Sequence, residues 1–272
     1  MTPDEGVDEG VDEGADPLLV TSSAGVLRLQ LNRPEARNAI NWAIRRKLHR
    51  TLDEASRDHS VRVVVIAGDD RAFCSGGDIK EMGRGDQDTS DKLIIMKAIS
   101  AIISDMAKPV VAEVRGHAAG AGFGLALTCD LVLADDTAVF TSTFIQIGLV
   151  PDLGTTYWLA RQVGLHRAKE MILTGRSVLA REAFDLGIVS RLWAPSEFRA
   201  GADSLIATLA AQPAVGMGLT KPLLNRTFQT DLSTAMDAEK LSQLTAANSA
   251  DHQAYLAGVR EGVSVRHSQS SS

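Results

Sequence analysis

Three stretches of the chain hold residues whose types and spacing could do chemistry. The first is Ala72-Phe73-Cys74-Ser75-Gly76-Gly77-Asp78-Ile79-Lys80-Glu81-Met82. Asp78 and Glu81 have the spacing of a capping box, which predicts a helix starting at Asp78. The Gly76-Gly77 pair before it permits close backbone approach and leaves amide groups at the positive end of a helix dipole. The second stretch is Gly116-His117-Ala118-Ala119-Gly120-Ala121-Gly122-Phe123-Gly124, again between a strand-like run and an apolar helix. Taken singly, each loop reads most simply as a turn. The third, Gly148-Leu149-Val150-Pro151-Asp152-Leu153-Gly154-Thr155, carries one carboxylate. By position alone Asp152 reads as the N-cap of the helix that follows.

Several familiar chemistries are excluded. Gly120, Gly122 and Gly124 do not have GxGxxG spacing, and no P-loop Lys-Ser/Thr follows them. Ser75 is not set in a GxSxG elbow. The six histidines show no HxxxH or HxH pairing, and Cys74 and Cys129 are far apart, so no metal site is expected. His117 reads as a packing residue and Cys74 as a small buried hydrophobe. Trp42, Trp158 and Trp193 read as core or interface residues.

The elements that must position these loops follow from periodicity. Strands are predicted at 18–21, 25–31, 61–67, 110–114, 131–134, 138–140 and 188–192, and the run from Val61 is apolar enough to be covered on both sides. Asn41 opens a helix whose Ile44, Leu48, Leu52 and Ala55 share one face. Helical spacing returns over 93–106 and from about Thr155, Arg167 and Ala180. From Ser196 onward the pattern is helical only. This is an α/β core followed by a helical extension.

Composition frames the rest. Residues 1–16 repeat an Asp-Glu-Gly motif with seven acids and no base; without them the net charge of −6 becomes +1. Such a segment has nothing to pack and is expected to be a disordered tail. The near-neutral remainder offers no basic face for nucleic acid. The 272 residues contain no apolar run that could span a membrane, and two cysteines suggest a reducing cytoplasm.

The segments Leu31–Pro34 with Asn38-Ala39, Ala72–Met82, Arg115–Ala126, Cys129-Asp130, Gly148–Thr155 and Leu173–Gly175 with Ala180 together resemble the crotonase superfamily, the enoyl-CoA hydratases and isomerases. The resemblance runs over roughly residues 17–262. It implies a ClpP/crotonase-like fold of repeated ββα units over 17–195, and a helical oligomerisation region over 196–272. It also implies assembly as a homotrimer or dimer of trimers. The Gly77 and Ala121 amides would form an oxyanion hole for a thioester carbonyl, and coenzyme A, as part of the substrate rather than a cofactor, would lie along Ala36, Arg37, Ser75, Gly76, Asp78, Ile79 and Lys80. Tyr255 would approach the nucleotide, while the basic residue expected after it falls on Gly258, with Arg260 nearby. The two hydratase glutamates would stand at Gly124 and Phe144, neither of which can transfer a proton. Asp152 matches the catalytic aspartate of family isomerases, desolvated by Phe144, Leu149, Val150 and Leu153. The expected activity is therefore moving a 3-enoyl-CoA double bond to the 2-position, within fatty-acid metabolism. The alternatives are weak hydration, dehalogenation, thioester hydrolysis or a CoA-thioester binder without catalysis.

Overall fold

In the computed structural model, which describes residues 16–260, the chain makes the same excursion three times between two sheets. The larger sheet has the order β1 (Leu18–Ser23), β2 (Val26–Leu31), β3 (Val63–Ala67), β5 (Val110–Val114), β7 (Leu131–Asp135) and β10 (Arg191–Trp193). Its β1–β2 pair is antiparallel and the remaining pairs are parallel. The smaller sheet has the order β4 (Ala72–Cys74), β6 (His117–Ala119), β8 (Val139–Thr141) and β9 (Ser177–Leu179). After β3, β5 and β7 the chain enters the smaller sheet for three residues before turning into a helix. These ββα repeats put both glycine loops at the same edge.

Alternation along β3 explains its unbroken apolar run. Val64 and Ile66 face the main core with helices α1 (Trp42–Arg57), α2 (Asp86–Asp105) and α3 (Ala121–Thr128). Val63 and Val65 face the other side, where Phe198, Ala202 and Ile206 of α7 (Phe198–Ala211) cover them. Both faces are buried, so no polar residue interrupts the strand.

α4 (Thr155–Val163), α5 (Leu165–Thr174) and α6 (Ala180–Asp185) close the core; α8 (Ala214–Asn225), α9 (Leu232–Ala247) and α10 (Ala250–Arg260) extend from it. The apolar part of α7 is thus packed within the chain. The unpartnered surface lies further on: α9 and α10 contain no buried residue, and Leu232, Met236, Leu241 and Leu244 stand exposed.

Two sequence expectations change here. The helix predicted from Asp78 is a single 3-10 turn, Ile79–Glu81, and α2 starts only at Asp86. Gly83 and Gly85, both with positive φ, break the intervening backbone. Glu81 does not close a capping box; its Oε1 instead accepts from the Trp42 amide at 3.0 Å, satisfying the start of α1. Asp16, grouped by composition with the acidic tail, is bound to the body: it accepts from Leu18 N at 3.2 Å and pairs with Lys47. The rest of the tail lies outside the described residues.

Candidate active site

The first glycine loop is hung from the 36–40 segment. Arg37 and Asn38 are left-handed, with φ of 50° and 58°, and the fully buried Asn38 donates to Ala72 O at 2.8 Å. Ser75 N donates to Arg37 O at 3.0 Å, and Ser75 Oγ to Ala36 O at 3.1 Å. Ile40 N then donates to Gly76 O at 2.7 Å, while Asp78 N donates to Ile40 O at 3.1 Å. In this parallel bridge the Gly76 carbonyl and the Asp78 amide are engaged, and the Gly77 amide, trans to that carbonyl, faces away. Among the described residues it has no hydrogen-bond acceptor.

The second loop offers its partner. Gly120, at φ 51°, donates to Thr141 O at 2.9 Å, and α3 begins at the next residue. Ala121 N is therefore one of the orphan donors of a helix start, with the positive end of the dipole behind it. The loops abut tightly: a Cβ on Gly76 would stand 3.0 Å from Ala119 O and 3.5 Å from Ala121 N. Two unspent amides are thereby brought to one place.

Asp152 is not a helix cap. Gly154 occupies the N-cap position of α4, and what Asp152 contributes to the turn is its backbone carbonyl, which accepts from Thr155 N at 2.9 Å and Thr155 Oγ1 at 2.7 Å. Its carboxylate Oδ1 is buried with no hydrogen-bond partner. Burial pushes the Asp152 carboxyl up to about 6, against the opposing pull of Arg45. Leu153, with φ 50°, carries the strain of this turn; its carbonyl is held by Thr128 Oγ1 at 3.0 Å. Of the four expected desolvating neighbours, Phe144 and Leu153 are buried, whereas Leu149 and Val150 point outward.

Arg45 lies in the same neighbourhood and was missed in the sequence, where it borders the apolar stripe of α1 without breaking its period. Its Nη1 donates to Glu81 Oε2 at 3.1 Å, and its Nη2 would lie 3.5 Å from a Cβ on Gly77.

The expected ligand contacts divide. Ile79 and Lys80 are exposed beside the first loop, and Ala36, Arg37 and Ser75 flank it. Asp78 is spent internally: it is buried and pairs with Arg33 at 2.8 Å. Burial opposes its charge, but Arg33 and the Lys80 amide hold it below the usual carboxylate range. His117 corrects the packing expectation. It is exposed, and with Pro34, Glu35, Arg37 and Arg71 it lines a cavity of about 480 Å³. Tyr255 sits half-exposed on α10, whose main neighbour is α9 rather than the loops. Cys74 is buried, which pushes its thiol up to about 12. No cluster of three or more His, Cys, Asp or Glu suited to a metal occurs among the described residues.

The model of the enoyl-CoA hydratase/isomerase family matches residues 21–264. The chain belongs to this family. It is 34% identical to the 1,2-epoxyphenylacetyl-CoA isomerase of Escherichia coli K12, over 88% of this chain and 91% of that one. It is 35% identical to the 2,3-dehydroadipyl-CoA hydratase of the same organism, over 87% and 92%. A solved enoyl-CoA hydratase from Bacillus anthracis superposes with a TM-score of 0.86 at 26% identity, covering 90% of this chain and 96% of that one. The crotonase fold and acyl-CoA chemistry thus hold for this member of the enoyl-CoA hydratase/isomerase family. No described helix is long and apolar enough to cross a membrane.

Proposed function

We propose that this enzyme is an enoyl-CoA isomerase in which Asp152 shuttles a proton and the Gly77 and Ala121 amides hold the thioester oxygen. The observation that carries the reading is the buried, unpartnered Oδ1 of Asp152. A carboxylate raised to about 6 can accept a proton near neutrality and return it. Asp152 takes a proton from C2 of a 3-enoyl-CoA. The C2 electrons form the C1–C2 double bond of a dienolate that keeps its C3–C4 double bond, with the negative charge on the thioester oxygen. The two amides stabilise that oxygen, each worth about 3 kcal/mol in the transition state. The dienolate then collapses: its oxygen regains the carbonyl, the C1–C2 pair moves to C2–C3, and the C3–C4 pair takes up the proton from Asp152 at C4, which leaves the 2-enoyl-CoA.

Hydration fits less well. It needs one group to activate water and another to protonate carbon, and Gly124 and Phe144 supply neither. Coenzyme A would run along Ala36, Arg37, Ser75, Ile79 and Lys80, with its phosphates towards the basic cavity of Arg37, Arg71 and His117. The exposed apolar faces of α9 and α10 favour assembly into a trimer or pair of trimers.

The test is to supply matched 2-enoyl- and 3-enoyl-CoA esters and follow both double-bond migration and water addition. Migration that outpaces hydration is the expected result. Hydration alone would replace this reading with that of a hydratase. Turnover of neither ester, with binding retained, would make the protein a CoA-thioester binder.

A further inference from the structure

We propose that Arg45 is the recognition group for an oxygen atom carried by the acyl chain itself, so that the site prefers oxygenated acyl groups to plain hydrocarbon ones. The proposal rests on the acyl-CoA reading above and names the substrate class within it.

Arg45 is a charged side chain only 9% exposed. A guanidinium has five N–H donors, and burying it with some of them unpaired is costly. Among the described residues, its side-chain hydrogen bonding is confined to Nη1 and Glu81. Glu81 does not embrace the guanidinium with both oxygens: Oε2 accepts from Nη1, and Oε1 accepts from the Trp42 amide. Arg45 Nε is buried and makes no hydrogen bond. A neutral residue at the edge of the α1 stripe would avoid this cost, and the Glu81 pair alone gives no reason to bury Nε unpaired.

Its surroundings say what the free donors face. Nη2 lies against Gly77, one of the two residues whose amides are placed to hold the thioester oxygen. Arg45 and Asp152 act on each other electrostatically, and both act on Cys74 beneath the first loop. Yet no ion pair within 4.0 Å closes between them among the described residues. One neighbourhood therefore holds a buried donor and a buried acceptor, neither of them satisfied. A hydrocarbon chain would leave the guanidinium donors unpaired. A keto, hydroxyl or carboxylate oxygen would accept from them.

The experiment measures dissociation constants of the full chain by titration calorimetry for butyryl-, 3-oxobutyryl-, 3-hydroxybutyryl- and succinyl-CoA. The wild type is expected to bind at least one oxygenated ester roughly tenfold more tightly than butyryl-CoA, the scale of a hydrogen bond to a charged group. Arg45→Met should abolish that preference while changing butyryl-CoA affinity by no more than about twofold, since this ester offers no acyl acceptor. Because Arg45→Met strands Glu81, Arg45→Met/Glu81→Met is made alongside it, with the same expected loss. Equal wild-type affinities for all four esters would overturn the proposal without any variant, as would a preference that survives in either variant. Failure of every ester, butyryl-CoA included, to bind the wild type would instead break the acyl-CoA reading. The esters thus separate the two failures.

Discussion

Gly124 on α3 and Thr155 at the start of α4 approach so closely that a Cβ on the glycine would stand 2.6 Å from Thr155 Oγ1. Leu153 Cβ would lie 3.0 Å away. The place where a hydratase of this family would carry its first glutamate is therefore filled by the turn that presents Asp152. Gly124→Glu should not install water addition. It should displace residues 152–155 and lose isomerisation with them. Gly124→Ala should cost about 1–3 kcal/mol through the same contact, or roughly 2–4 °C of melting temperature per kcal/mol for a domain of this size. A folded Gly124→Glu protein that gains hydration would refute the argument.

The two amides can be tested by removing their hydrogens. Gly77→Pro and Ala121→Pro each delete one donor, and proline is compatible with the first position of α3. Each variant should lower kcat on its best ester by about 10²–10³-fold, with circular dichroism unchanged. Near-normal turnover in either folded variant would remove that amide from the oxyanion hole.

Much of this was legible in the sequence. The long strands and α1 follow from their period, and the two glycine loops with Asp152 follow from motif and order. The three-residue strands β4, β6 and β9 were not, because so short a run shows no alternation, and His117–Ala119 looks like part of a glycine loop. Arg45 stayed hidden because a buried arginine beside an apolar stripe is written the same way as an exposed one. Arg71 and His117 lie 46 positions apart, and only the β4–β6 pairing brings them to one cavity. Asp152 could be placed by motif, but its freedom from capping depends on Gly154 taking that position.

The C-terminal helices give a prediction about assembly. α9 runs for 16 residues without burying one, and Met236 and Leu244 are 57% and 56% exposed. Patches of this kind on a helix mark a partner surface. Sedimentation at micromolar concentration should show an oligomer, and Met236→Asp/Leu244→Asp should shift it towards the monomer. A monomeric wild type would contradict the expectation.

Asp152 allows the sharpest test, because one substitution spares a cap and disables a base. Its folded value of about 6 lies above the ordinary 3.8, through burial. Between those values the folded state holds more proton than the unfolded state, so this group's contribution to stability falls as pH rises from 4 to 6. Above pH 6 the full penalty is present, on the order of 3 kcal/mol. Asp152→Asn removes the charge, so at pH 8 the variant should melt no lower than the wild type, and higher if the amide finds partners. A capping role would predict little change in either stability or turnover, because asparagine caps about as well as aspartate. Activity should move the other way. Wild-type kcat/KM should rise with pH through a midpoint near 6, as the carboxylate becomes free to accept the C2 proton. In the asparagine variant isomerisation should fall by roughly two to four orders of magnitude and that limb should vanish. Exchange of the substrate α-proton in deuterated water isolates the first transfer, and should be lost with it. Wild-type-like exchange in Asp152→Asn would take Asp152 out of the mechanism, however well its burial fits the role.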